Sequence, residues 1–172
     1  MSSRIIEVVE YQLAWAADFD SEKLSLQCTL GSCALSIEHI GSTAVVGLAA
    51  KPVIDILIEV SSLAALDANQ DAMELLGYIA SGENGIAGRR YYQKGGNYRT
   101  HHIHAFEIGN GNLICHRAFR DYLIAHPEIA AEYGDLKKAA ALQCKNDSVL
   151  YTTLKNSFIQ KHETLALSWH GN

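Results

Sequence analysis

Between Val53 and Val60 the chain reads VIDILIEV, the strongest strand signal it contains. Pro52 stands at its start, where a missing N–H is tolerated. Side chains alternate along a strand, so Asp55, Leu57 and Glu59 share one face. A chain built around such a segment needs a sheet, and the other elements follow from period and punctuation. Arg4 to Glu10 reads as a short strand or an extended arm. Leu13 to Leu30 fits a moderately amphipathic helix through Trp15, Phe19, Leu24, Leu26 and Leu30, stopped by Gly31. Ala34 to Ile40 is a strand that ends in a Gly-Ser turn. Ser61-Ser62 caps a helix running to Leu76, with Gly77 beyond it. The glycine-rich stretch Ser81 to Gly96 reads as a loop plus a strand, and Arg99 to Ile108 as another strand.

The last third is helical. Helices are expected over Leu113 to Ala125, over Pro127 to Leu142 with proline at the start, and over Asp147 to Leu167. In the last of these Leu150, Leu154, Phe158 and Leu165 form the stripe that packs on the body. Strands first and helices last predict an α+β fold, and 172 residues suit one domain spanning 1–172. The net charge of −5, with Lys and Arg scattered, argues against a protein that grips nucleic acid through its phosphates. It leaves room for a small anion held by a few local cations. Four cysteines without a C-x-x-C pair, and an N-terminus without an apolar core, predict reduced thiols and a cytoplasmic location with no membrane span.

The chemistry concentrates in His39-Ile-Gly-Ser-Thr43 and the following Lys51-Pro-Val-Ile-Asp55. A Gly-Ser turn that opens a helix offers free backbone N–H groups to a phosphate. Gly41 permits close approach, and Ser42 and Thr43 add hydroxyls. The returning strand presents Asp55 to a divalent metal.

This order of parts is similar to the nucleotidyltransferase superfamily, whose signature is Gly-Ser followed by an acid-x-acid pair on a strand. More narrowly, EHIGSTAVVGLAAKPVIDI, the HHIH strand, FRDYLIAHPEIAAEYGDLKKAAA and YTTLKNSFI resemble the GrpB family over most of the chain. The resemblance implies a nucleotidyltransferase-like mixed β-sheet flanked by helices, with a C-terminal helical segment. It also implies a nucleotide or other phosphorylated small molecule as ligand, bound with Mg²⁺ or Mn²⁺ on Asp55, and transfer of a nucleotidyl or phosphoryl group to an acceptor. The chain departs from the superfamily at position 57, where the second acid is Leu57. Glu59 lies about 13 Å along the strand from Asp55, too far to share one ion.

His102 and His104 share a strand face, with Ile103 and Ala105 opposite. If the histidines look toward Asp55, the three form a mixed site suited to zinc-type metals and to hydrolysis. Otherwise they bond neighbours or a phosphate. The alternative to transfer, set by the missing second carboxylate, is a non-catalytic nucleotide- or phosphate-binding module of the same fold. His39 is a candidate ligand contact and is expected first to orient the turn by a hydrogen bond. Lys51, Arg89, Arg90 and Arg120 are the candidate phosphate-binding cations, while Arg117 is spaced to pair with Asp121. Tyr133, Lys137, Tyr151 and Lys155 fit the family pattern and are read as holding the C-terminal helices to the sheet.

Overall fold

A computed structural model describes residues 4–171. One mixed sheet has the strand order β1-β2-β5-β4-β3, with β1 at Ala34–Ile40, β2 at Ile54–Val60, β3 at Ile79–Ala80, β4 at Arg89–Lys94 and β5 at His101–Glu107. β2 and β5 run parallel, and the other neighbours are antiparallel. A parallel pair requires a crossover. Here it carries α2 (Leu63–Asp67), α3 (Gln70–Leu75), β3 and β4.

β2 is covered on both faces. Ile54, Ile56, Ile58 and Val60 join Ile103 and Ala105 of β5 in the main core, under Trp15, Phe19, Leu26 and Leu30 of α1 (Ala14–Leu30). On the opposite face Leu57 packs with Ile40, Phe106 and Leu113, the last from α4 (Gly111–Ala125). Burial of each such side chain stabilises by about 1.5–3 kcal/mol. α5 (Pro127–Cys144) and α6 (Ser148–His170) complete the second layer, meeting α4 through Ala118, Tyr122, Tyr133 and Ala166. None of the helices described is long and apolar enough to cross a membrane.

Three local expectations are corrected. Leu24 lies half a turn round from Trp15 at the α-helical period and is exposed. The helix expected from Ser62 to Leu76 divides at Asn69, whose side-chain amide donates to the Ala65 carbonyl and competes with the helical ladder. Leu165 is exposed, because α6 turns His162 and Ala166 toward α4 instead. Of the two readings of the segment from Arg4, the extended arm is found, with a single bridge, Val9 to Ala50.

Candidate functional site

Gly41 has φ 71° and ψ −170°, a region closed to side chains, and it sets the turn directly against Asp55. The expected helix after it is only a three-residue 3₁₀ turn, Ser42–Ala44, so no row of free helical N–H groups forms there. The polar groups the turn does supply are side chains. Ser42 hydrogen-bonds Tyr133, and buried Thr43 has its Oγ1 2.8 Å from His39 Nε2.

Asp55 sits at the start of β2, in register with Ile40 of β1 and His102 of β5. Its Oδ1 lies 3.5 Å from His102 Nδ1 and 3.3 Å from His104 Nε2. Burial alone would raise the Asp55 pKa. The hydrogen bonds from both histidines outweigh it and hold the carboxyl far below the usual carboxylate range. Behind each imidazole stands an arginine: Arg99 Nη1 is 3.4 Å from His102 Nε2, and Arg89 Nη1 is 3.4 Å from His104 Nδ1. A guanidinium only donates, so those nitrogens must accept, and the nitrogens facing Asp55 carry the protons.

The second wall of the site comes from α5 and α6. Together with the Gly41–Thr43 turn they enclose a cleft of about 170 Å³ lined by Lys51, Asp55, Tyr133, Lys137, Tyr151 and Lys155. Lys51 and Lys155 both approach the Tyr151 ring, at 4.8 and 4.2 Å, and Lys137 lies 4.4 Å from the Tyr133 ring. Burial pushes all three lysines down. Lys51 falls to about 8, with Arg4 and Lys155 adding like charge, Lys155 to about 8, and Lys137 to about 6 with Lys155 beside it. Lys137 Nζ and Tyr151 Oη are buried without a hydrogen-bond partner among the described residues. Orphaned buried donors are costly until an acceptor reaches them.

The family model for GrpB protein matches residues 5–164. The chain belongs to the GrpB family. It is 48% identical over 166 residues to the UPF0157 protein YqkA of Bacillus subtilis, covering 96% of this chain and 48% of that protein. It thus spans about half the length of that relative. It is 34% identical to the glutamate-rich protein GrpB of Alkalihalophilus pseudofirmus over 159 residues, covering 90% and 91% of the two chains. The crystal structure of the conserved protein GrpB from Enterococcus faecalis superposes with a TM-score of 0.91 at 43% identity, covering 96% of this chain and 100% of that one. The Cid1 poly(U) polymerase, with MgGTP bound, matches 80% of this chain and 44% of its own at a TM-score of 0.52 and 15% identity. That likeness carries the fold: this GrpB chain has a nucleotidyltransferase-like architecture.

Within the GrpB fold the expected site residues separate. Gly41, Ser42, Thr43, Lys51, Asp55 and His102 line the cleft, and His104 stands behind Asp55. His39 points to the other side of the sheet, stacked on Phe19 at 4.8 Å, and burial pushes its pKa down to about 4. Arg90 is on that far side too, paired with Asp67 at 2.9 Å. Arg89 is buried and donates to the Glu83 and Asn84 carbonyls, so it is fixed instead of swinging on a loop. Arg120 donates to Glu38, Asp121 and the His39 carbonyl. The expected Arg117–Asp121 pair is not formed, since Arg117 reaches Glu38, Glu59 and Ser36 across the sheet.

The lysines of α5 and α6, read from sequence as structural, face the cleft instead. A signal for them was present: Tyr133–Lys137 and Tyr151–Lys155 are the same four-residue spacing on consecutive helices, each pair on one helical face.

A divalent ion shared by Asp55, His102 and His104 does not fit these side chains. It would need lone pairs on the two nitrogens that carry protons toward Asp55. Shifting the tautomers would set N–H against the N–H of Arg99 and Arg89. Among the described residues no group of three or more His, Cys, Asp or Glu is disposed to hold a metal. Lys51 and Lys155 share the cleft with the single carboxylate of Asp55, so its charge balance near pH 7 favours an anion.

Proposed function

We propose that this GrpB-family chain binds the phosphate groups of a nucleotide or of another phosphorylated small molecule, seated between the Ser42 turn and the ammonium groups of Lys51 and Lys155. The observation that carries this reading is the convergence of three lysines, with orphaned buried donors, on a cleft whose one carboxylate is already engaged by histidines. The nucleotide-bound state of Cid1 supports it only as a fold-level analogy.

Thermal unfolding with the four ribonucleoside triphosphates and pyrophosphate tests it, each with and without Mg²⁺, Mn²⁺ or Zn²⁺. A ligand at about 100 times its Kd adds about 2.7 kcal/mol and should raise the midpoint by several degrees. Lys155→Ala is expected to weaken binding about tenfold, or about 1.4 kcal/mol. No shift with any nucleotide or with pyrophosphate would sink the reading.

Transfer of a nucleotidyl or phosphoryl group to an acceptor is the second reading, favoured by the position of Asp55 beside the Gly-Ser turn. Asp55→Asn separates the two. Anion binding should persist or strengthen, since a like charge is removed, whereas a metal-dependent nucleotide shift that vanishes in Asp55→Asn would favour transfer.

The lysines also set a pH dependence. Their pKa values are depressed to about 8, so they are charged below that pH and lose their protons as pH rises through it. Anion affinity is therefore highest near pH 7 and should fall by roughly one to two orders of magnitude by about pH 9.5. Calorimetric titration with pyrophosphate at both pH values measures this, and an unchanged Kd would remove the two lysines from the ligand.

A further inference from the structure

The cleft contains a primary amine that the phosphate seat does not require. Lys137 is 2% exposed yet lines the cleft beside Ser42, Lys51 and Lys155. Its Nζ faces the Tyr133 ring at 4.4 Å and has no hydrogen-bond partner among the described residues. An ammonium in that place lacks an acceptor and is desolvated. Lys51 and Lys155 add like charge, Tyr151 and Tyr133 are neutral hydroxyls, and the Asp55 carboxylate is engaged by His102 and His104. Burial comes first, and Lys155 and Lys51 add to it; together they outweigh Asp55 and the Tyr133 ring, which favour the ammonium, and the Lys137 pKa is pushed down to about 6. A lysine desolvated next to other cations is an activated nucleophile.

We propose that Lys137 is a reactive amine that condenses with a phosphorylated aldehyde or ketone whose phosphate rests on Ser42, Lys51 and Lys155. This rests on the phosphate-binding reading of the same cleft. The Nζ lone pair adds to the carbonyl carbon, and the C=O π electrons move to oxygen, which is protonated. The carbinolamine then loses its hydroxyl as water while nitrogen gives up a proton, leaving a C=N bond. One amine and one carbonyl give one imine and one water, and no oxidant or reductant takes part. Lys138, the next residue, is an internal control: its side chain is 41% exposed and paired with Glu10.

Pyridoxal 5′-phosphate is the probe, used on the full chain at pH 7 with borohydride trapping and peptide mass spectrometry. Lys137 is expected to carry the adduct about tenfold faster than Lys138, its larger free-amine fraction outweighing its lower basicity. Its labelling rate should level off above about pH 6, while that of Lys138 keeps climbing. Pyridoxal without phosphate should label Lys137 much more slowly. Lys137→Arg and Lys137→Met, each checked for folding by circular dichroism, should both lose the cleft adduct.

Labelling confined to exposed lysines, with Lys137 spared, would overturn the proposal. So would labelling of Lys137 that does not distinguish pyridoxal from its phosphate. A parallel pyrophosphate titration keeps the two readings apart. Pyrophosphate binding without Lys137 labelling removes the amine and leaves the phosphate seat. Absence of both removes both.

Discussion

Leu57→Asp, which would add the second acid of the acid-x-acid pattern that the chain's sequence only partly resembles, is expected to unfold the protein instead of creating a metal site. Leu57 is fully buried in β2, an interior strand of the sheet, against Ile40, Phe106 and Leu113 beneath α4. The substitution removes packing worth about 2–5 kcal/mol. It also places a carboxylate between Glu38, a like charge in register on β1, and His104, in register on β5 and already engaged by Asp55, which costs several kcal/mol more. Against a typical stability of about 5–15 kcal/mol that is a large share or all of the total. Urea denaturation should show a collapsed midpoint or no folded baseline. A folded Leu57→Asp protein of unchanged stability that gains Mn²⁺ binding would mean that α4 does not seal this face.

Gly41→Ala should have the second-largest effect, and it should strike stability and ligand binding together. At φ 71° and ψ −170° a side chain is strained by about 1–3 kcal/mol. The new Cβ would also lie 2.8 Å from Asp55 Oδ2 and 3.1 Å from Asp55 Cβ, so the carboxylate must move off His102 and His104. A total loss of about 2–4 kcal/mol and at least a tenfold weaker pyrophosphate Kd are expected. Gly47→Ala is the comparison. Its φ of 85° is also positive, but the space around it is open, so it carries the strain without the collision. Equal effects from the two substitutions would show that the close approach to Asp55 is irrelevant.

The sheet was legible because its strands obey local rules. β1 and β2 are found within a residue of their expected ends, and Ile103 and Ala105 face the core as their alternation with the histidines requires. The convergence of His102 and Asp55 needed one further fact, the parallel register that sets them side by side, which no single segment contains. His39 shows the same limit from the other direction. Adjacent to Ile40, which opposes Asp55, it lies on the wrong face by one residue. Arg90 and Arg120 were misplaced because an arginine's partner is chosen by tertiary neighbours, here Asp67 and Glu38, distant in sequence. Lys137 and Lys155 were underrated for a related reason. On an isolated helix each reads as a surface lysine, and only the docking of α5 and α6 against the Gly41 turn brings them inside.

That docking couples two events usually considered apart. The sheet contributes Asp55 and the turn, the C-terminal helices contribute Lys137 and Lys155, and neither half makes the cleft alone. With the cleft empty, Lys155 and Lys51 repel one another across this seam. An anion lodged there exchanges repulsion for attraction on both sides at once, so it acts as a clamp on the helical layer as well as a ligand. Whatever loosens α6 from the sheet must therefore weaken ligand affinity, and saturation with ligand must hold α6 down by the same free energy.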